Sequence, residues 1–198
     1  MSESTLQVTE GDGPLLHVDN KSIGGQTVKE EYILHGEQAL PSYQAFFSSV
    51  SIPLGTEKHP FELMAGASLK LRVREIVVFQ QAATAAGTQL VFDIKRLSTA
   101  GTGGPTNPIA ALDPSSPSSG ATLMETPTAE GTEGDTVVSG VLPLTATLPN
   151  TGIFRWVQHP SSQPIVVPVS NGICMKLITA GGTGASIRGY IIFDASAH

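Results

Sequence analysis

The sequence predicts an all-β protein, a β-sandwich of the jelly-roll type with about 8–10 strands. Three observations support this class. Several runs alternate apolar and polar residues with the period of two that a half-buried strand shows. The 198 residues include 21 glycines and 14 prolines, which suit many turns between short strands. No segment shows a convincing apolar period of an amphipathic helix.

Residues 1–28 are predicted to form an extended N-terminal arm, and residues 29–198 the sandwich domain. The apolar side chains of the arm follow no helix or strand period, and their burial offsets only part of the backbone entropy lost on ordering. We therefore expect backbone pairing to hold the arm, either at its own sheet or at the edge of a neighbouring chain. The arm residues expected at a protein interface are Leu6, Val8, Leu15, Leu16 and Ile23.

The strongest strand signal lies in residues 68–80, where leucine and valine first alternate with lysine and arginine. Beyond Glu75 the next four residues are all apolar, which predicts a bulge or burial on both faces. Residues 88–97 alternate again, and we expect the two runs to pair as a hairpin. Weaker strand signals precede them at residues 30–35 and 44–52.

The last third of the chain contains short runs of the same kind, bounded by turn residues. Phe154 and Trp156 share one strand face and are expected to pack in the core. Asn171 and Gly172 form a strong signal for a two-residue hairpin turn. The strands predicted in this region are residues 136–142, 144–148, 153–158, 165–169, 173–178 and 185–194.

A long tract rich in glycine, serine, threonine and proline occupies residues 98–135. Connections longer than about 12–15 residues are usually functional or disordered in compact domains. Two interpretations follow: a mobile surface loop, or an extended segment ordered against a neighbouring subunit. The second is favoured, with Ile109, Leu112, Leu123 and Met124 as its anchors at the interface.

The net charge of −6 is unevenly distributed, because no lysine or arginine lies between Arg96 and Arg155. A nucleic-acid-binding surface needs clustered cations to neutralise phosphates, and we expect no nucleic-acid partner for a chain without such a cluster. No window approaches ~18 consecutive apolar residues, so no membrane partner is expected either. The acidic residues of the cation-free stretch are Asp113, Glu125, Glu130, Glu133 and Asp135.

No catalytic, cofactor-binding or metal-binding residue is predicted. The five histidines lack the spacing of a metal site, and His59 and His159 each precede a proline, as partly exposed turn residues do. Cys174, the single cysteine, lies in a predicted strand and is interpreted as an unreactive thiol. Glycine runs at 101–104 and 181–184 lack the lysine and the helix of a phosphate-binding loop. We expect a non-enzymatic protein without cofactors.

Four segments resemble small virion structural proteins of tailed bacteriophages, over roughly residues 88–194. The first follows a predicted strand, and the last precedes a hairpin signal and a final hydrophobic strand. The segments are residues 95–101 (KRLSTAG), 116–122 (SPSSGAT), 126–132 (TPTAEGT) and 163–167 (QPIVV).

The resemblance implies a head decoration or cement protein: a jelly-roll module, often trimeric, that sits on the capsid surface and bridges neighbouring shell subunits. Its partners would be the major capsid protein and other copies of itself. The absence of a cationic flank and apolar run at the start of the sequence predicts no Sec signal peptide, which fits assembly in the host cytoplasm.

Two alternatives remain open. One is a tail- or fibre-associated receptor-binding β-sandwich, in which exposed aromatic residues stack on glycans. The other is a metal-dependent enzyme of the cupin class. Glycan binding would support the first, and stoichiometric bound metal would support the second. The aromatic residues available for stacking are Tyr32, Tyr43, Trp156 and Tyr190.

Overall fold

The computed structural model divides the chain into two compact units, residues 1–39 and 40–198. The boundary between arm and sandwich domain after residue 28 stays a prediction. Each unit is described by itself. The structure describes residues 17–23, 26–32, 40–52, 58–82, 89–144, 152–179 and 185–197.

The first unit contains two antiparallel strands, β1 (His17–Ile23) and β2 (Gln26–Tyr32). The register runs from His17 opposite Tyr32 to Ile23 opposite Gln26. The expected backbone pairing of the arm is thus present within the chain, although residues 29–32 of β2 lie beyond the predicted end of the arm. The other predicted interface residues of the arm, Leu6, Val8, Leu15 and Leu16, lie outside the described residues.

The second unit is built from antiparallel strands, and its described residues contain no helix. This confirms the predicted all-β class. No described segment forms a helix long and apolar enough to cross a membrane. The strands are β3 (Ser42–Ser51), β4 (Phe61–Met64), β5 (Lys70–Ala82), β6 (Gln89–Leu97), β7 (Thr106–Asn107), β8 (Ile109–Ala111), β9 (Thr122–Glu125), β10 (Glu133–Pro143), β11 (Ile153–Val157), β12 (Ile165–Val167), β13 (Gly172–Leu177) and β14 (Ser186–Ser196).

Two antiparallel sheets pack against each other as a sandwich. Sheet I has the order β11-β5-β14-β3-β8, with β12 also paired to β5, and sheet II has the order β10-β6-β13-β4-β9-β7. Strands β5 and β6 lie in different sheets, so the hairpin predicted for residues 68–80 and 88–97 is wrong. The hairpin predicted at Asn171 and Gly172 is also wrong, because β12 pairs with sheet I and β13 belongs to sheet II.

The core lies between the sheets and consists of the inward residues of alternating strands. Ring contacts join the two layers: Phe47 of sheet I lies 4.8 Å from Phe61 of sheet II, and Phe154 lies 4.9 Å from Phe92. Trp156 also packs against the core, as predicted for it and Phe154. Each fully buried large apolar side chain contributes roughly 1.5–3 kcal/mol relative to exposure.

A register shift in β5 confirms the irregularity predicted after its first half. Ile192 pairs with Glu75, but the next residue, Phe193, pairs with Val73, which leaves Arg74 as an extra residue in β5. Leu71 and Val73 point into the core before the shift, whereas Ile76 and Val78 do so after it. The bulge therefore keeps both halves of this long strand buried on the same side.

Residues 98–135 are not a loop, because β7, β8 and β9 extend the two sheets of their own unit. The Tyr43 hydroxyl donates to the carbonyl of Pro117 at 2.6 Å, and the Ser48 amide donates to the Glu125 carboxylate at 2.8 Å. Leu123 is fully buried in the core, and Ile109 packs against it. Leu123 is therefore a core residue and Ile109 is partly buried against the core, which corrects their interpretation as anchors on a neighbouring subunit.

Candidate functional site

Three neighbouring strands of sheet II carry polar side chains on its outer face. Glu62 of β4 lies beside Cys174 of β13, and Cys174 lies beside Lys95 of β6. The residues flanking Glu62, Phe61 and Leu63, point into the core. Strand alternation thus gathers residues that are distant in sequence. We call the following group the charged cluster: His59, Glu62, Lys95, Glu133, Cys174 and Lys176.

Glu62 attaches the cluster to a covering segment formed by residues 99–104 and 126–132, here called the strap. The two parts of the strap are bridged between Thr102 and Ala129. Two strap amides donate to the Glu62 carboxylate, Gly101 N at 2.6 Å and Gly131 N at 2.8 Å. Because Glu62 is almost completely buried, these bonds replace the water that its charge requires.

Glycine is needed at the strap residues that approach Glu62. A Cβ added at Gly131 would lie 2.2 Å from the carbonyl oxygen of Thr99, and one at Gly101 would lie 2.6 Å from that of Ala129. Both obstacles are backbone atoms, which cannot rotate away. The two glycines therefore allow the strap to lie close enough to donate its amides.

The imidazole of His59 joins the two carboxylates of the cluster. Its Nδ1 lies 2.7 Å from Oε1 of Glu62, and its Nε2 lies 3.1 Å from Oε1 of Glu133. Glu133 also accepts from Lys95 at 2.5 Å and from Lys176 at 2.9 Å. His59 was interpreted as a partly exposed turn residue, which is wrong because its side chain is completely buried.

These contacts keep the imidazole and the two carboxylates of the cluster ionised. Burial by itself would lower the pKa of His59, but hydrogen bonds with Cys174, Glu62 and Glu133 outweigh it and raise the pKa to about 10. Burial would raise the pKa of Glu133, but hydrogen bonds from two lysines and His59 lower it to about 2. The pKa of Glu62 is also lowered, because hydrogen bonds from His59 and the strap exceed the effect of burial.

The cluster contains the contacts of a thiol–imidazole–carboxylate series. Cys174 Sγ lies 3.6 Å from His59 Nε2, and His59 Nδ1 contacts Glu62. Nucleophilic catalysis requires such a series to meet a substrate. Here the thiol and the imidazole have no exposed surface, and burial raises the pKa of Cys174. The strap amides bind Glu62 and are not directed at the thiol. This geometry suits attachment of the strap.

Three ligand atoms of the cluster region could hold a cation, one each from His59, Glu130 and Glu133, all within 4.8 Å of one another. However, Glu133 is already bound by Lys95 and Lys176, and a metal needs the neutral imidazole. A cation would therefore have to displace ammonium groups and a proton. The residues fit an internally compensated ion network better than a metal centre.

The outer face of sheet I carries a second candidate site of a different kind. Cross-strand pairing aligns its outward side chains in three rows over four strands, an area of about 20 Å by 20 Å. Ile153, Val157 and Phe46 are 56%, 49% and 45% exposed. The rows, here called the apolar face, are Ile153, Phe79 and Arg188; Arg155, Val77, Tyr190 and Phe46; and Val157, Glu75, Ile192 and Gln44.

The outer face of sheet II carries a smaller group, here called the apolar row: Val141, Val91 and Ile178. Val141 of β10 pairs with Val91 of β6, and the amide of Ile178 donates to the Val91 carbonyl at 2.8 Å. Val141 is 48% exposed and Ile178 is 41% exposed. Exposed apolar side chains therefore lie on the outer faces of both sheets.

The described interface candidates of the central tract occupy different environments. Leu112 is exposed, Met124 is half-buried, and Leu123 is buried in the core. The apolar face could not be identified from the sequence, because alternation in β5 and β11 shows two faces of each strand without showing which one is covered. Of the proposed glycan-stacking residues, Tyr43 is buried, Trp156 packs against the core, and Tyr190 lies on the apolar face.

Searches against protein families, curated proteins and solved structures found no match for this chain.

Proposed function

We propose that this chain is a non-enzymatic virion structural protein that decorates a phage capsid and cements it by bridging neighbouring shell subunits. The proposal assigns it to the capsid surface, after assembly in the host cytoplasm. Its partners are the major capsid protein and other copies of itself, as a homo-oligomer and most simply a trimer. The assignment starts from the expectation that four short segments within residues 88–194 resemble small phage virion proteins.

The strand order supports the finer, jelly-roll class. Eight of the strands make up four neighbouring strands in each sheet, β3-β14-β5-β11 in sheet I and β4-β13-β6-β10 in sheet II. Successive strands pass from one sheet to the other, except that β6 and β10 are neighbours in sheet II. This order supports a topology of two Greek keys, as in a jelly roll, a fold that is common in viral capsid proteins. Strands β7, β8 and β9 are an insertion between β6 and β10.

One observation carries the bridging function: apolar surface is exposed on both outer faces of the sandwich. The apolar face is on the outer side of sheet I, and the apolar row is on part of the outer side of sheet II. An exposed apolar patch rimmed by polar residues typically marks a protein contact. A protein that bridges two neighbours needs two such contacts on separate sides, and a module with only one would bind without cementing.

The strap and the charged cluster contribute rigidity to the same function. A cement protein under tension must resist local opening, and long glycine-rich segments usually open first. Here the strap is attached to a buried carboxylate that itself contacts a cationic imidazole. Repeated over a symmetric shell, many modest contacts act together, so the affinity of a single copy need not be high.

Electron microscopy of heads with and without this protein tests the proposal. Particles of the phage that encodes the chain should lose a surface feature when its gene is deleted, and their heads should break at lower temperature. Purified protein added back should restore both properties, and the Val141→Asp variant should restore them less well. Unchanged heads with altered tails would refute the proposal.

The alternative is a tail- or fibre-associated module that binds receptor glycans. The observation that favours it is the pair of aromatic side chains on the apolar face, Phe46 and Tyr190, beside Arg188. Binding of the purified chain to a glycan array, abolished by Tyr190→Ala, would support this alternative over capsid decoration.

A further inference from the structure

An exposed turn that contains Leu112 and Asp113, here called the projection, follows edge strand β8. The amide of Leu112 donates to the carbonyl of Ser42 at 2.9 Å, which attaches the projection to the start of β3. The Asp113 carboxylate accepts from the amide and the hydroxyl of Ser115 at 2.8 and 2.7 Å. These bonds lower the pKa of Asp113, so the carboxylate is ionised at neutral pH. Leu112 is 54% exposed, which places apolar surface beside a negative charge.

The apolar face has the complementary character. The guanidinium of Arg188 lies over the ring of Phe79, 5.7 Å from its centroid, and the Arg188 side chain is exposed. Arg155 pairs with Glu75 at 2.7 Å. Two arginines and one glutamate thus lie on this face, although the whole chain has a net charge of −6. Aromatic residues and arginine are also the residue types enriched in the centres of protein interfaces.

We infer that the apolar face binds the projection formed by Leu112 and Asp113 of a second copy of this chain. Leu112 would pack on the apolar side chains, and the Asp113 carboxylate would lie beside Arg188. This inference rests on the proposed function, for which it identifies the surfaces of the self-contact. The apolar row of sheet II is left for the shell subunit.

The contact joins two copies of the chain. Leu112 is held beside Ser42, two residues before Gln44 and four before Phe46 in β3, which corresponds to about 7 and 13 Å along the strand. Its exposure also shows that it does not pack on the apolar face of its own chain. Two different surfaces in contact produce closed rings or open chains.

The size of the contact predicts moderate affinity. The apolar face covers on the order of 400 Å², about half of the roughly 800 Å² per partner in a standard interface. Association in the micromolar range is therefore expected for the free chain. On a shell, neighbouring copies are already held close together, which strengthens the same contact.

Sedimentation velocity of the full chain tests the self-contact, over concentrations from about 1 to 500 µM that bracket a micromolar Kd. The wild type should associate. Val157→Asp on the apolar face and Leu112→Asp in the projection should each weaken association at least tenfold. Val169→Asp is the matched control, because Val169 is 39% exposed and belongs to neither surface. Circular dichroism verifies that each variant is folded.

A charge exchange gives the sharper test, since it does not depend on loss alone. Asp113→Arg and Arg188→Glu should each weaken association about tenfold, and the double variant should recover most of the affinity because the two charges face each other again. A wild type that stays monomeric throughout, or a double variant no better than the weaker single one, would overturn the inference.

The two proposals fail in different ways. If the chain is monomeric in solution and Val157→Asp still binds and stabilises heads, the self-contact is wrong and the capsid function stands. If the chain associates as expected but neither binds heads nor restores their heat resistance, the self-contact stands and the capsid function is wrong.

Discussion

The Nδ1 atom of His59 lies 2.7 Å from Oε1 of Glu62, and both side chains are buried. This contact connects the sheet to the strap, because the same carboxylate accepts the amides of Gly101 and Gly131. An ionised carboxylate is costly to bury unless it is paired and hydrogen-bonded. Its pairing here gives the strap its fixed position.

Replacing Glu62 should therefore release the strap. Glu62→Gln keeps the shape of the side chain but leaves His59 without its buried counter-charge, and we expect a loss of about 3–5 kcal/mol in the free energy of unfolding. Urea unfolding followed by tryptophan fluorescence measures it. Asp135→Asn, at an exposed position, should change stability by less than about 0.5 kcal/mol. Equal effects of the two substitutions would contradict this role of Glu62.

A comparison of Gly131 with Gly134 tests whether Gly131 is required for steric reasons or only for backbone flexibility. Gly131→Ala should destabilise the protein by roughly 1–3 kcal/mol, because the new Cβ would meet the Thr99 carbonyl at 2.2 Å. Gly134→Ala should be tolerated, since its Cβ would find its nearest neighbour, Arg96 Cβ, at 3.6 Å. Thermal unfolding of both variants tests the difference. If Gly134→Ala is as harmful as Gly131→Ala, the strap does not lie as described.

The charged cluster predicts a stability maximum in mildly acidic solution. The pKa of His59 is raised from 6.5 to about 10, so its contribution is complete below pH 6.5 and is lost as the pH rises towards 10. The pKa of Glu133 is lowered from 4.5 to about 2, so its contribution is complete above pH 4.5 and is lost as the pH falls towards 2. Urea midpoints across this range should be highest between pH 4.5 and 6.5.

A variant of His59 tests whether this residue causes the loss of stability at alkaline pH. His59→Gln should remove most of the stability loss between pH 6.5 and 10, although the variant will be less stable at pH 5.5. His159→Gln, at an exposed position, is the control and should keep the wild-type slope. A slope that persists in His59→Gln would assign the pH dependence to other groups.

Leucines of the central tract should differ in their effect on stability. Leu123→Ala should cost about 2–5 kcal/mol because it opens a cavity in the core. Leu112→Ala should cost less than about 1 kcal/mol in the monomer, because Leu112 is mostly exposed. Denaturant unfolding at low protein concentration provides the comparison. Similar small losses at both positions would mean that the tract is not part of the sandwich.

The thiol of Cys174 should be protected in the folded protein. It is fully buried and its pKa is raised, so iodoacetamide at pH 7.5 should modify it only after unfolding in urea. Ser161→Cys, in an exposed turn, provides a reactive control thiol within the same protein. Rapid modification of Cys174 under native conditions would revive the possibility of thiol chemistry.

Local periodicity was sufficient for the class of the fold and for several strands. The alternation in residues 68–80 and its break after Glu75 correspond to β5 and its bulge. The core positions of Phe154 and Trp156 were also predictable, because strand alternation depends only on neighbouring residues.

The same alternation could not identify strand partners. β5 and β6 each bury one apolar face against the same core. Their sequence pattern is therefore the same whether they pair in one sheet, as predicted, or lie in two sheets, as observed. The tract of residues 98–135 was misjudged for a related reason. It is held by strand pairing and by backbone amides that donate to Glu62. Because these interactions use backbone atoms, the side-chain types of the tract do not reveal them.

The sequence by itself determined that short amphipathic strands build this protein. It also determined that much of the negative charge lies in a stretch without lysine or arginine, between Arg96 and Arg155. The tertiary structure alone decided that His59, Glu133 and Cys174 meet, and that Ile153, Val157 and Phe46 are exposed on the outer face of sheet I. Side-chain periodicity reports which way a residue points within its own strand. Contacts between positions 59, 133 and 174 depend on how distant strands pair, which only the packed sandwich defines.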